Sequence, residues 1–129
     1  MKKPIVVIAG ASGFIGRQLT LFLREQGWTV RTLSRSNKMD FKWDPTRESI
    51  DEGVFADADV VVNLVGLSIL APRWTESLKR ELVNSRVQTT QFLVDELLSL
   101  AKKPSVLFNA SAVGYYGTKA VSCTESSAA

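Results

Sequence analysis

The sequence predicts an α/β protein built on a doubly wound parallel sheet, and three observations carry that expectation. Two runs, Ile5 to Ala9 and Val60 to Val65, are almost continuously apolar and rich in β-branched residues, as strands buried on both faces of a parallel sheet are. Each run ends at a glycine, Gly10 or Gly66. Segments of helical periodicity alternate with the strands, which implies right-handed strand-helix-strand crossovers.

Taken in order, Ile5 to Ala9 is the first strand. From Phe14 to Gln26 the apolar residues Ile15, Leu19, Phe22 and Leu23 recur at helical intervals, and Gly27 stands where a helix C-terminal glycine belongs. Trp28 to Leu33 alternates as a second strand, with Arg31 and Arg35 spaced to lie outside its buried stripe. Residues 36 to 57 are polar; Met39 to Trp43 forms a short third strand, and Asp44-Pro45 forces a turn. Val60 to Val65 is the fourth strand. Thr75 is a good N-cap with Glu76 in the first turn, and Leu78, Leu82, Leu93, Leu97 and Leu98 mark a long helix reaching about Ala101. Pro104 stops it, and Ser105 to Ala110 is a fifth strand. The expected strand order is 3-2-1-4-5, in one domain covering residues 1–129.

The totals exclude other classes. A chain of 129 residues with 45% hydrophobic content can bury one core. Its net charge of +3 is far from the concentrated basic stripe of a nucleic-acid binder. The charge is uneven, because residues 1 to 38 carry seven Lys or Arg against the single acid Glu25. An anionic ligand near the N-terminal half is consistent with that bias. Cys123 is the only cysteine, so no internal disulfide forms and a cytoplasmic location is expected. With no histidine, serine-histidine catalysis and histidine-ligated metals are excluded. No segment approaches the ~20 apolar residues of a membrane span.

The turn after the first strand reads Gly10-Ala11-Ser12-Gly13-Phe14-Ile15-Gly16. Glycines at this spacing permit a tight turn, close approach to a pyrophosphate and close packing of helix on strand, while the helix start aims free N–H groups at the anion. A strand before the turn and an amphipathic helix after it supply the context that a dinucleotide site requires. A Walker A loop is excluded, since no glycine-lysine-serine or glycine-lysine-threonine follows Gly10 at the required spacing. NAD-binding turns usually have an acid about 20 positions on. Here the second strand ends Leu33-Ser34-Arg35-Ser36. Arg35 can form a bidentate pair with a 2′-phosphate and a serine can donate to it, so the expected cofactor is NADP rather than NAD.

Four segments, "GASGFIG" at 10 to 16, "NLVG" at 63 to 66, "RWTESLKRELVNSRVQTT" at 73 to 90 and "SAVGYYG" at 111 to 117, resemble the short-chain dehydrogenase/reductase superfamily. Within it the chain is similar to the atypical sugar-nucleotide epimerase branch of bacteria and organelles. The resemblance implies that Gly10, Ser12, Gly13, Phe14, Ile15 and Gly16 hold the pyrophosphate and that Ser34 and Arg35 hold the 2′-phosphate. It implies further that Leu64, Val65 and Gly66 border the adenine and its ribose. Arg86 stands where extended epimerases carry a helix asparagine, and Ser111 takes the position of the catalytic serine.

In that superfamily a tyrosine transfers a proton while a nearby lysine lowers its pKa. Tyr115 and Lys119 match the tyrosine-x-x-x-lysine spacing, but Gly117 lies between them and disfavours the helix that the pair needs. The expectation is therefore that Ser111 polarises a substrate oxygen and that Tyr115 and Tyr116 line the substrate pocket. Arg73, Lys79 or Arg86 would contact an acidic small-molecule substrate. The sequence resembles the N-terminal part of a longer protein, without the C-terminal strands and substrate domain. Its fifth strand would then be an uncovered edge, through which the isolated segment associates. A non-catalytic module that senses NADP or docks on a partner is the alternative.

Overall fold

The computed structural model describes residues 1–70, 72–118 and 121–129 of the chain. The five expected strands form in the expected order: β1 (Ile5–Ala9), β2 (Thr29–Ser34), β3 (Phe41–Asp44), β5 (Val60–Asn63) and β6 (Val106–Asn109). A two-residue strand, β4 (Ser49–Ile50), is added to the expected set and pairs antiparallel with β3. The sheet order is β4-β3-β2-β1-β5-β6, with every other neighbouring pair parallel.

Successive side chains of β1 point to opposite faces, which divides the core in two. Val6 and Ile8 join Val30 and Val62 beneath Leu19 and Leu23 of helix α1 (Phe14–Glu25). Val7 and Ala9 join Leu33, Trp43 and Val61 beneath Phe92, Leu93 and Leu97 of helix α2 (Glu76–Ser99). Val6, Val7, Ile8 and Ala9, four of the five β1 residues, are fully buried. This explains why the strand is apolar on both faces, and why a charge at any of the four positions would be costly.

Local chemistry sets the helix ends. α1 closes with Gly27 N–H on the Arg24 carbonyl and Trp28 N–H on the Leu23 carbonyl, with Gly27 at φ 82°. Thr75 caps α2, its hydroxyl oxygen accepting from Leu78 N–H at 3.1 Å.

The crossover from β4 to β5 carries no helix. Val54, Phe55 and Ala58 pack into the α2-side core instead, and Arg31 holds this segment by donating to the carbonyls of Val54 (2.8 Å) and Ala56 (2.6 Å). Replacing Arg31 with alanine leaves both carbonyls without that donor. A stability loss of about 2 kcal/mol is expected, from the usual size of hydrogen bonds to charged donors. Denaturant titration reads it, and an unchanged midpoint would show that the clamp is idle.

At the other edge, Val106, Leu107 and Phe108 of β6 are 40%, 39% and 62% exposed. No helix among the described residues is long and apolar enough to cross a membrane.

Candidate functional site

The C-terminal ends of β1, β2 and β5 open into a cleft of about 510 Å³. Its floor is the glycine turn. Gly10 has φ +83°, and a Cβ there would lie 2.9 Å from the Leu64 carbonyl carbon and 3.1 Å from Val65 N. Only glycine lets the ends of β1 and β5 approach so closely. At Gly16 a Cβ would collide with the Gly10 carbonyl oxygen and stand 2.7 Å from Ala11 Cα. Gly16 is therefore the point where α1 seats on the turn. A Cβ at Gly13 would meet only the Gly10 oxygen, at 3.4 Å, so Gly13 leaves its space to the cleft.

The start of α1 is open for an anion. Its N-cap Gly13 makes no side-chain hydrogen bond, and its first turn contains no acid. Gly13 N–H closes the turn on the Gly10 carbonyl at 3.1 Å, and the N–H groups after it, at the positive end of the helix dipole, have no side-chain cap among the described residues.

Eight of the expected cofactor residues line the cleft: Gly10, Ser12 and Gly13 on the floor, Ser34 and Arg35 at the end of β2, and Leu64, Val65 and Gly66 beyond β5. Arg35 is the one cation and Glu81 the one acid among the described lining residues. Phe14 and Ile15 are 88% and 63% exposed and do not line it. Gly16 lies beneath it.

Two walls had no counterpart in the expected site. Trp43, Pro45 and Thr46 of the β3–β4 hairpin form one. The turn is set by Asp44, whose Oδ1 accepts from the Thr46 hydroxyl at 2.6 Å and from Thr46 N–H at 3.0 Å. The Thr46 hydroxyl bond holds the Asp44 carboxyl below the usual carboxylate range. Glu81, Asn84, Ser85, Gln88 and Thr89 of α2 form the other wall. Their three- and four-residue spacing puts them on one helix face, which was the available signal for finding them.

The segment after β5 is tied to α2. Arg86 donates to the carbonyls of Leu82 (3.1 Å) and Leu67 (3.0 Å), and Ser85 Oγ accepts from Leu67 N–H at 3.1 Å. A Cβ at Gly66 would touch the Arg86 guanidinium at 2.9 Å. The structure thus places Arg86 behind the cleft wall, with its donors on main-chain carbonyls.

Asn63, 3% exposed, joins three elements at this point. Its Nδ2 donates to Asn109 Oδ1 (2.7 Å) and Thr90 Oγ1 (3.2 Å), and its Oδ1 accepts from Val65 N–H (3.2 Å). Asn63→Leu removes three hydrogen bonds made from a buried side chain to part-buried partners and is expected to cost about 2 kcal/mol. Thermal melting with the cofactor absent reads it, and a wild-type melting temperature would refute the role.

Ser111 follows β6 in an exposed segment, and Tyr115 and Tyr116 lie in a 3₁₀ turn, Val113–Tyr116, with their rings edge to face at 5.0 Å. None of the three lines the cleft. The turn ends at Gly117, φ 82°, so no helix runs on from Tyr115. Lys119 is outside the described residues. Among the described residues no cluster of histidine, cysteine, aspartate or glutamate could hold a metal.

A parallel sheet with a helix on each face and a glycine-floored cleft at the carboxyl ends of its central strands defines an NAD(P)-binding domain of the Rossmann type. The chain belongs to the NAD dependent epimerase/dehydratase family, which it matches over residues 6–129. It is 38% identical over 120 residues to an epimerase family protein of Mycobacterium bovis, covering 91% of this chain and 39% of that protein. Among solved structures it is similar to the human epimerase family protein SDR39U1 with NADPH, at 30% identity and a TM-score of 0.73, covering 87% of this chain and 38% of the human one. It is also similar to a nucleoside-diphosphate sugar epimerase of Corynebacterium glutamicum, at 32% identity and a TM-score of 0.67, covering 90% of this chain and 24% of that one. The chain therefore spans well under half the length of these relatives.

Proposed function

We propose that the cleft binds NADP(H), with the pyrophosphate on the Gly10 to Gly16 turn and the start of α1, and the 2′-phosphate on Arg35 and Ser34. The observation that carries this reading is Arg35 as the one cation among the described lining residues, at the end of a strand where NAD-binding domains place a carboxylate. The NADPH complex of the similar human protein supports it. Bidentate pairing of a guanidinium with a phosphate supplies both energy and orientation. Leu64 and Val65 border the adenosine, and the polar face of α2 supplies donors and acceptors to the riboses.

Within a longer protein, this domain serves an oxidoreductase or epimerase that uses the nicotinamide for hydride transfer. The similarity to a nucleoside-diphosphate sugar epimerase supports a sugar nucleotide as the small-molecule substrate. Ser111, at the end of β6, polarises the substrate oxygen by hydrogen bonding, and Tyr115 and Tyr116 wall the substrate side. Arg86 contributes by holding the Gly66–Leu67 segment rather than by meeting substrate. The second reading is a non-catalytic NADP-sensing or partner-docking module. It is favoured by the position of Ser111 and both tyrosines away from the cleft lining.

Competition tests the site. 2′,5′-ADP, which carries the discriminating phosphate without the nicotinamide, is expected to displace NADPH from the chain, and 5′-AMP at the same concentration to leave it bound. If 2′,5′-ADP does not compete, the assignment fails. Turnover of a carbonyl or sugar-nucleotide substrate by the longer protein separates the catalytic reading from the sensing one.

A further inference from the structure

β2 and β3 are parallel neighbours joined by residues 35–40 alone, whereas such pairs ordinarily need a crossover of about a dozen residues or more. The short link suffices because β3 starts level with the end of β2, pairing Leu33 with Phe41 and Ser34 with Lys42. The chain steps sideways and does not return to the far end of the sheet. Below that level, Thr32 N–H has no β3 carbonyl beside it. Asp40 fills the gap: its Oδ2 accepts from Thr32 N–H and from the Thr32 hydroxyl, both at 2.9 Å, and its own N–H donates to Thr32 Oγ1 at 3.1 Å. Arg24 of α1 approaches the same oxygen at 3.5 Å. Thr32 is 3% exposed, so the lock is anchored in the core.

The residue that opens this link is Arg35. At its start, Ser34 Oγ accepts from Ser36 N–H at 3.2 Å, and at its end stands the Asp40–Thr32 lock. We propose that Asp40 is a positioning residue for cofactor choice: by fixing the far end of the link on β2 it keeps Arg35 at the cleft, where the guanidinium selects a 2′-phosphate over a 2′-hydroxyl. The proposal rests on the NADP reading above.

Its electrostatic sign makes it testable. A carboxylate near a phosphate site repels the ligand, so an Asp40 that merely stands nearby predicts that removing it strengthens NADPH binding. Positioning predicts the reverse, because a guanidinium displaced from the phosphate loses a charge-assisted hydrogen bond, which costs about 10- to 100-fold in affinity. NADPH and NADH are titrated against the chain and its Asp40→Ala, Asp40→Asn and Thr32→Val variants. In Asp40→Ala, NADPH affinity is expected to fall about tenfold with NADH affinity unchanged. Asp40→Asn keeps an acceptor for Thr32 and is expected to retain the preference. Thr32→Val removes the hydroxyl from a buried site and is expected to lower the preference in the same direction, which decides the matter should Asp40→Ala not fold. An Asp40→Ala protein that binds NADPH as well as the parent or better overturns the proposal, as does one that loses both cofactors equally. A Thr32→Val protein with the parent's preference also overturns it. No preference in the parent would instead defeat the underlying NADP reading.

Discussion

Gly16→Ala is expected to destabilise the domain by about 2–3 kcal/mol and to abolish cofactor binding. On helix propensity alone alanine would gain about 1 kcal/mol over glycine. The added Cβ, however, meets the Gly10 carbonyl oxygen and the Ala11 backbone, and these belong to the turn itself, so no side chain can swing away. Overpacking of this kind costs about 1–3 kcal/mol or more and outweighs the propensity gain. The shift would lift α1 from the turn and move the N–H groups proposed to face the pyrophosphate. Gly13→Ala is the contrasting case. Its Cβ would have ordinary contact within the protein but would project into the proposed phosphate site, so stability is expected to hold while NADPH binding falls. Denaturant melts and cofactor titrations on the two variants separate the packing glycine from the ligand-facing one. Equal effects on both quantities in both variants would refute that division.

Arg35→Asp is expected to reverse cofactor preference without altering stability. Arg35 is exposed and makes no hydrogen bond or ion pair to another described residue, so its loss leaves the fold intact. Hydrogen bonds to charged groups contribute about 1.5–3 kcal/mol each. Losing a phosphate partner therefore weakens NADPH by about 10- to 100-fold, before repulsion from the new carboxylate is added. That carboxylate can accept from the ribose hydroxyls of NADH as the acid of NAD-binding turns does, so NADH affinity is expected to rise. Fluorescence titration of both cofactors checks this, and a variant that still prefers NADPH would contradict it.

The two faces of the sheet were legible because burial on both sides demands the apolar β-branched runs at β1 and β5. α2 was legible from its periodicity and its Thr75 cap. The β3–β4 hairpin was not, because β4 is only two residues long and exists by pairing with β3. Its loss from view also hid Trp43, Pro45 and Thr46 as a cleft wall. From the sequence Arg31 is expected outside the buried stripe and Arg86 near the substrate, and each donates to main-chain carbonyls on a neighbouring segment. Nothing local reveals which carbonyls a fold leaves without partners. The turn at Tyr115 was legible for a local reason, a glycine two residues later that ends a single 3₁₀ turn.

The proposed cleft takes a 2′-phosphorylated dinucleotide on Arg35. Calorimetric titration of the chain with NADPH and with NADH, under the same salt, tests it most directly. NADPH is expected to bind at least about tenfold more tightly, the least that one charge-assisted phosphate contact confers. Equal affinity for the two cofactors would rule out Arg35 as a 2′-phosphate anchor.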